Sequence, residues 1–175
     1  MSTELKPMFR PYLFAFALGL ATALGASAQP QLSSPIAAGS GPGVHSPDSP
    51  FAPLKPRSDV LSWELLTRVV QKNTKEGMKP VFNPGQLALD QKTQRLQGFM
   101  MPLEPGEKQK HFLLTSVPLS CSFCIPGGPE SMVEVKTKTA VRYSMEAVVV
   151  EGRFVVLKDD KSGLYYRLTD AVQVQ

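Results

Sequence analysis

Gln94-Arg95-Leu96-Gln97-Gly98-Phe99-Met100-Met101 is the stretch on which the fold turns. Its apolar side chains recur with a period near two, as in a strand, and a glycine sits in the middle, where a bulge or sharp coil is least costly. Further strands are expected at 111–117, at 132–136, at 146–151 and 153–158 with Gly152 between them, and at 164–168, with a shorter one upstream at 87–90. Asp159-Asp160-Lys161-Ser162-Gly163 reads as a turn, and its two aspartates suit a solvated hairpin tip better than an acid/base or metal-binding pair. Farther upstream the period changes to 3.6. Leu61, Leu65 and Val69 recur at i, i+4 and i+8, with Trp63, Leu66 and Val70 widening the stripe and Ser58 as a candidate N-cap, so a short helix is expected over 59–72. Trp63 on that stripe reads as core packing. Short strands with interior glycines and one helix at the edge predict a mainly β fold: a small, bent antiparallel barrel, OB-like, with one short N-terminal helix. A two-sheet sandwich is the alternative.

The remaining chain sets the context. Among 175 residues, 19 basic and 15 acidic side chains leave +4, too small and scattered a balance for a nucleic-acid surface. Lys6 and Arg10 flank an uncharged apolar run over 12–25, and Ala26-Ser27-Ala28 offers a cleavage site, so residues 1–28 are expected to be a signal peptide. A retained N-terminal anchor is the alternative; no cysteine follows the run to carry a lipid. The expected location is the periplasm or the exterior of a bacterial cell, with no stable membrane span after cleavage. Residues 29–57 hold seven Pro, three Gly and five Ser, too few large apolar side chains to offset the entropy of ordering, and predict a disordered tether. His45 lies in that tether and is expected to be solvated. The folded barrel domain is then 58–175, about 118 residues, long enough to bury on the order of two-thirds of its unfolded surface.

Chemistry concentrates in Cys121-Ser122-Phe123-Cys124, between two expected strands, with Pro118 before it and Ile125-Pro126-Gly127-Gly128-Pro129 after it. These are the only thiols, and three readings stay open. A disulfide suits an oxidising compartment. A transition-metal site would use Cys121 and Cys124 with His111, the sole histidine of the folded unit, for zinc, or with thioethers from Met100, Met101 or Met132 for copper(I). A redox-active dithiol would need a helix N-terminus to stabilise a thiolate, and the prolines and glycines that follow leave no such helix. No nucleophile elbow, His-Glu-x-x-His helix or phosphate loop is present, so no catalytic residue is assigned.

Several blocks carry a resemblance: Gln97-Gly98-Phe99-Met100-Met101-Pro102-Leu103, His111-Phe112-Leu113-Leu114, the cysteine block through Pro129, Val133-Glu134-Val135, Val150-Glu151-Gly152-Arg153 and Tyr165-Tyr166-Arg167-Leu168. Over about 63–171 the chain resembles an uncharacterised family of small exported bacterial proteins. The resemblance implies a domain without established enzymatic activity, some of whose members are encoded near metal-responsive transport systems. Many relatives carry a histidine in the cysteine loop, whereas this chain has none between Cys121 and Pro129. The expected function is an exported envelope binding or accessory domain whose partner is an envelope protein or a metal transport system. A thiol-disulfide oxidoreductase is the alternative.

Overall fold

The computed structural model describes residues 41–75 and 77–175. The expected signal peptide and the first part of the expected tether, 29–40, lie outside the described residues. In chain order the elements are helix α1 (Trp63–Leu66), strands β1 (Val70–Thr74) and β2 (Gly77–Val81), helix α2 (Pro84–Leu87), strands β3 (Thr93–Pro102) and β4 (Lys108–Thr115), a 3-10 turn (Pro129–Ser131), and strands β5 (Met132–Arg142), β6 (Val148–Val156) and β7 (Tyr166–Val174). β1 and β2 form a separate ribbon. The other five close into a barrel in the order β3-β4-β5-β7-β6, with β6 returning to β3. Among the described residues no helix is long and apolar enough to cross a membrane.

The barrel closes at Gly98. Residues 93–98 of β3 pair with β6 and residues 99–102 pair with β4, so one strand serves two neighbours and changes from one to the other at the glycine. A Cβ there would lie 2.7 Å from Thr115 O and 2.8 Å from Leu114 Cγ, closer than any side chain tolerates. The expected sharp coil at Gly98 is therefore also a close approach of backbones. The β6–β7 ladder slips where Gly152 faces 169–171, and Asp170 takes φ of 53° there, a conformation aspartate tolerates better than most residues. Every strand pair is antiparallel except β5 with β7, which run parallel. The mainly β, bent OB-like barrel is as expected, with this one parallel pair: β6 lies between them in sequence but beside β3 in space, so β7 returns alongside β5. Alternate residues fill the interior, Phe112 and Leu114 from β4, Val133 and Val135 from β5, Val148 and Val150 from β6, Tyr166 and Leu168 from β7.

The expected helix over 59–72 is reduced to one turn. Ser62, not Ser58, is its N-cap and accepts from Glu64 N–H. Two carbonyls that a longer helix would use have distant partners instead: Leu66 O accepts from Tyr166 OH at 2.7 Å and from Gln86 Nε2 at 2.9 Å, and Leu65 O accepts from Gln86 Nε2 at 3.0 Å. The β-branched Val70 then begins the ribbon. Trp63 is core, as expected, and its Nε1–H donates to Gln97 O at 2.8 Å. The strand expected at 87–90 is instead the end of α2 and the turn after it. Asn83 and Gln86 form a reciprocal capping box, with Pro84 at the first helical position. Gly98→Ala should lower the unfolding free energy by about 2–3 kcal/mol, because the atoms it meets are strand backbone and packed core. Urea unfolding followed by Trp63 fluorescence measures this, and a loss of a few tenths of a kcal/mol would show that β3 crosses between its neighbours without this contact.

Candidate functional site

β4 ends at Thr115, and the chain then makes tight turns: Cys121 N–H to Pro118 O at 3.2 Å, Cys124 N–H to Cys121 O at 3.3 Å, and Ser131 N–H to Gly128 O at 2.9 Å. Within them Cys121 and Cys124 form a disulfide with Cα atoms 5.4 Å apart. The sulfurs differ in setting. Cys121 is buried and its Sγ lies 3.3 Å from Ser49 Oγ, where the hydroxyl donates, while Cys124 is half-buried. The ring leaves Phe123 62% exposed at its apex and Ile125 47% exposed beside it.

A second segment holds this loop from outside. Val44 and Ile125 exchange both backbone hydrogen bonds, at 2.8 and 2.9 Å, and Ser116 Oγ donates to Pro42 O at 2.5 Å. The chains cross so closely that a Cβ on Gly127 would lie 2.2 Å from Gly41 O. From residue 41 onward, the stretch expected to be a free tether is thus laid along the barrel. His45 is not solvated as expected, for its Nε2 is buried without a hydrogen-bond partner and its ring stacks on Phe99 at 6.4 Å. Val44, bridged to Ile125, is itself 58% exposed.

His111 belongs to another neighbourhood. It lies on β4 four residues before the strand end, and its Nε2 donates to Glu134 Oε1 at 2.7 Å. Glu134, 6% exposed, also accepts from Arg167 Nε and has Lys136 Nζ at 3.4 Å. Arg167 continues to Asp160 Oδ1 at 3.2 Å, and Asp160 accepts from the N–H groups of Ser162 and Leu164. Of the two turn aspartates only Asp159 is a solvated tip, paired with Lys79. Burial alone would raise the Glu134 pKa. Hydrogen bonds from Arg167 and His111 and the charges of Arg167 and Lys136 outweigh it, and the pKa lies below the ordinary glutamate value.

Of the three residues assigned to a metal, the structure brings together Cys121 and Cys124 and leaves His111 with Glu134. Disulfide sulfurs are not thiolate donors, so the three do not fit a zinc or copper(I) shell in this state. Met100 packs in the core. Among the described residues no group of three or more His, Cys, Asp and Glu side chains is placed to hold a metal ion. Sequence reasoning missed Ser49, Glu134 and Glu130. The last is buried just past the loop, where its Oε2 accepts from Gln71 Nε2 of the ribbon at 3.3 Å. A carboxylate between two strand valines, Val133-Glu134-Val135, was the available sign of the second.

The fold and site define a small OB-like β-barrel domain with a disulfide-stapled, proline-rich loop between its second and third barrel strands. Residues 44–170 match the family model described as protein of unknown function (DUF3299), and the chain belongs to that family. The crystal structure of a DUF3299 family protein from Pseudomonas aeruginosa PAO1, at 2.45 Å resolution, is similar at 24% identity and a TM-score of 0.40, covering 55% of this chain and 68% of that one. No curated protein matches the chain.

A carboxylate with a depressed folded pKa stabilises the fold above its unfolded pKa, and that contribution is lost as pH falls through the folded value. Glu134→Gln should therefore cost about 1–3 kcal/mol at pH 7, a cost that shrinks on acidification below about pH 4.5. Denaturant unfolding of both proteins from pH 7 to pH 3 measures this. Parallel pH profiles would show that the acid loss originates elsewhere.

Proposed function

We propose that the chain is an exported, non-enzymatic binding module of the bacterial cell envelope that offers its disulfide-stapled loop to a protein partner. The observation that carries this reading is Phe123, held exposed at the apex of a covalently closed turn, with Ile125 and Val44 beside it. An aromatic side chain presented on a pre-shaped loop loses little conformational entropy when it is covered, the property expected of a binding anchor. Export is supported by the leader-like N-terminus and by a thiol pair whose oxidised form suits an oxidising compartment. The metal reading has less support, because the sulfurs bond each other and His111 bonds Glu134.

A second reading, thiol–disulfide exchange, is favoured by the asymmetry of the sulfurs. A thiolate of an external dithiol would attack the half-buried Cys124 Sγ, breaking the S–S bond and releasing Cys121 as a thiolate beside the Ser49 hydroxyl. The second thiol of that dithiol then displaces Cys124. The reagent leaves as a disulfide, and both cysteines end as thiols.

One experiment in cells separates these readings. A photoreactive phenylalanine analogue replaces Phe123, or Lys138 on an exposed stretch of β5 as a control, and thiols are alkylated at harvest. The binding reading expects a mature chain starting at Gln29, a fully oxidised pair, and a protein adduct at position 123 that is absent at 138 and lost when both cysteines are serine. A chain starting at Met1, or equal adducts at the two positions, overturns it. A substantial thiol fraction, with a mixed disulfide trapped in Cys121→Ser, establishes exchange instead.

A further inference from the structure

Residues 45–57 rest on the barrel without a ladder. Their flanks are tied by backbone hydrogen bonds, Val44 with Ile125 at one end and Leu61 N–H to Arg95 O at 2.8 Å at the other. Between these ties, among the described residues, the one backbone–backbone bond is local, Ser49 N–H to Ser46 O. Side chains hold the rest. Phe51 meets Phe99 edge-on at 6.4 Å, Leu54 packs against the core, and Arg57 Nη2 donates to Gln175 O at 3.2 Å. Phe51, Leu54 and Arg57 are spaced by three, and so are Pro50, Pro53 and Pro56. That is the period of an extended polyproline-type chain, which turns one row of side chains to a surface and another to solvent.

The groove beneath has open space beside its occupant. A cavity of about 560 Å³ lies between this segment and Phe99, Val149 and Val174. Another of about 460 Å³ lies between it and Trp63, Ser116 and Val117. Gln97 lines both, so the segment spans the wall above Gln97 and leaves space on either side. Lys55 and Arg57 of the segment line both cavities, with Glu146 in one and Glu64 in the other, and Arg57 is paired with Asp59.

We propose that this groove is a peptide-binding site, that residues 45–57 fill it as an intramolecular stand-in, and that its partner is a protein segment of the same chemistry. Such a segment is extended, with prolines three apart, an aromatic and an aliphatic residue three apart, and basic residues after them. The occupant already in place displays what the groove accepts. Lifting it breaks ring contacts, the packing of Leu54 and the side-chain hydrogen bonds of Ser49 and Arg57, but no strand pairing, so exchange leaves the barrel intact. This goes beyond the loop reading and does not need it.

The test uses the full oxidised chain, a synthetic peptide covering residues 48–57, and a control peptide with alanine at the positions of Phe51 and Leu54. Arg57 is exposed, but its side chain and Leu54 hold the backbone around it on the barrel. A lifted segment frees the bond after Arg57 to enter trypsin, so saturating peptide should speed cleavage there about threefold or more, and the control peptide should not. The tethered copy competes at an effective concentration in the millimolar range, so Phe51→Ala/Leu54→Ala in the chain should tighten peptide binding about tenfold in fluorescence anisotropy. If that variant does not fold, cleavage of the unaltered chain decides alone. No acceleration and no binding, or equal effects of both peptides, overturns the proposal. So does a dimer in light scattering that the peptide dissociates, because the groove's natural occupant would then be a second copy of this chain.

Discussion

Backbone contact at Gly98 is the constraint from which the rest of the structure follows. The missing Cβ brings Thr115 O to the glycine, and Thr115 is the last residue of β4, so the same contact that closes the barrel sets the root of the disulfide loop. Thr115 Oγ1 reinforces the junction, lying 2.8 Å from Val117 O and 3.2 Å from Phe99 O. On the other side the Trp63 ring fills the space a side chain would take, with Cζ2 3.2 Å from the ideal Cβ position, and its Nε1–H is anchored on the neighbouring Gln97 carbonyl. Barrel closure, the Trp63 plug and loop placement are therefore one packing problem with one permissive residue.

The loop itself is held twice. Closing so short a ring restricts the unfolded chain only modestly, with a contribution of about 2 kcal/mol on a chain-entropy estimate. The two Val44–Ile125 hydrogen bonds add about 1 kcal/mol each on average. Neither restraint dominates, which is why the covalent one acts chiefly on the local shape of residues 121–124 and the position of Phe123. The Glu134 cage is a separate device. It ties β4, β5 and β7 across the parallel pair through His111, Glu134 and Arg167, where a buried carboxylate would be costly without its cations.

Much of this was legible in the residues. Gly98 marks the bend in β3, alternation marks the barrel strands, and the cysteine spacing marks the loop, but the two strands expected at 146–151 and 153–158 on either side of Gly152 are the single strand β6. The failures share a cause. Val69 and Val70 fit a helix period and a strand period equally well, and the choice was made by Tyr166 and Gln86, which take the Leu66 carbonyl from 100 and 20 residues away. His111 looked available to the cysteines because it begins the strand that leads to them. Strand direction carries it away from the loop, and its real partner, Glu134, lies 23 residues on. The Asn83-Pro84…Gln86 cap is present in the sequence, and it outweighs the apolar residues that suggest a strand at 87–90.

The proline-rich segment departs from the expected free tether for a different physical reason. Composition says that 41–57 buries too little to order itself, which assumes that an ordinary chain's entropy must be overcome. Prolines have already surrendered much of that entropy in the unfolded state, so docking them costs less per residue. They also lack N–H groups, which prevents the segment from extending the ladder at Val44 into a further strand. A chain of this kind can lie on a barrel through two ring contacts and a few side chains, in register but unladdered. The family match begins at Val44, the residue bonded to Ile125, so the matched unit contains this segment together with the barrel it covers. The segment is best understood as a component of the domain whose attachment is cheap to form and cheap to undo.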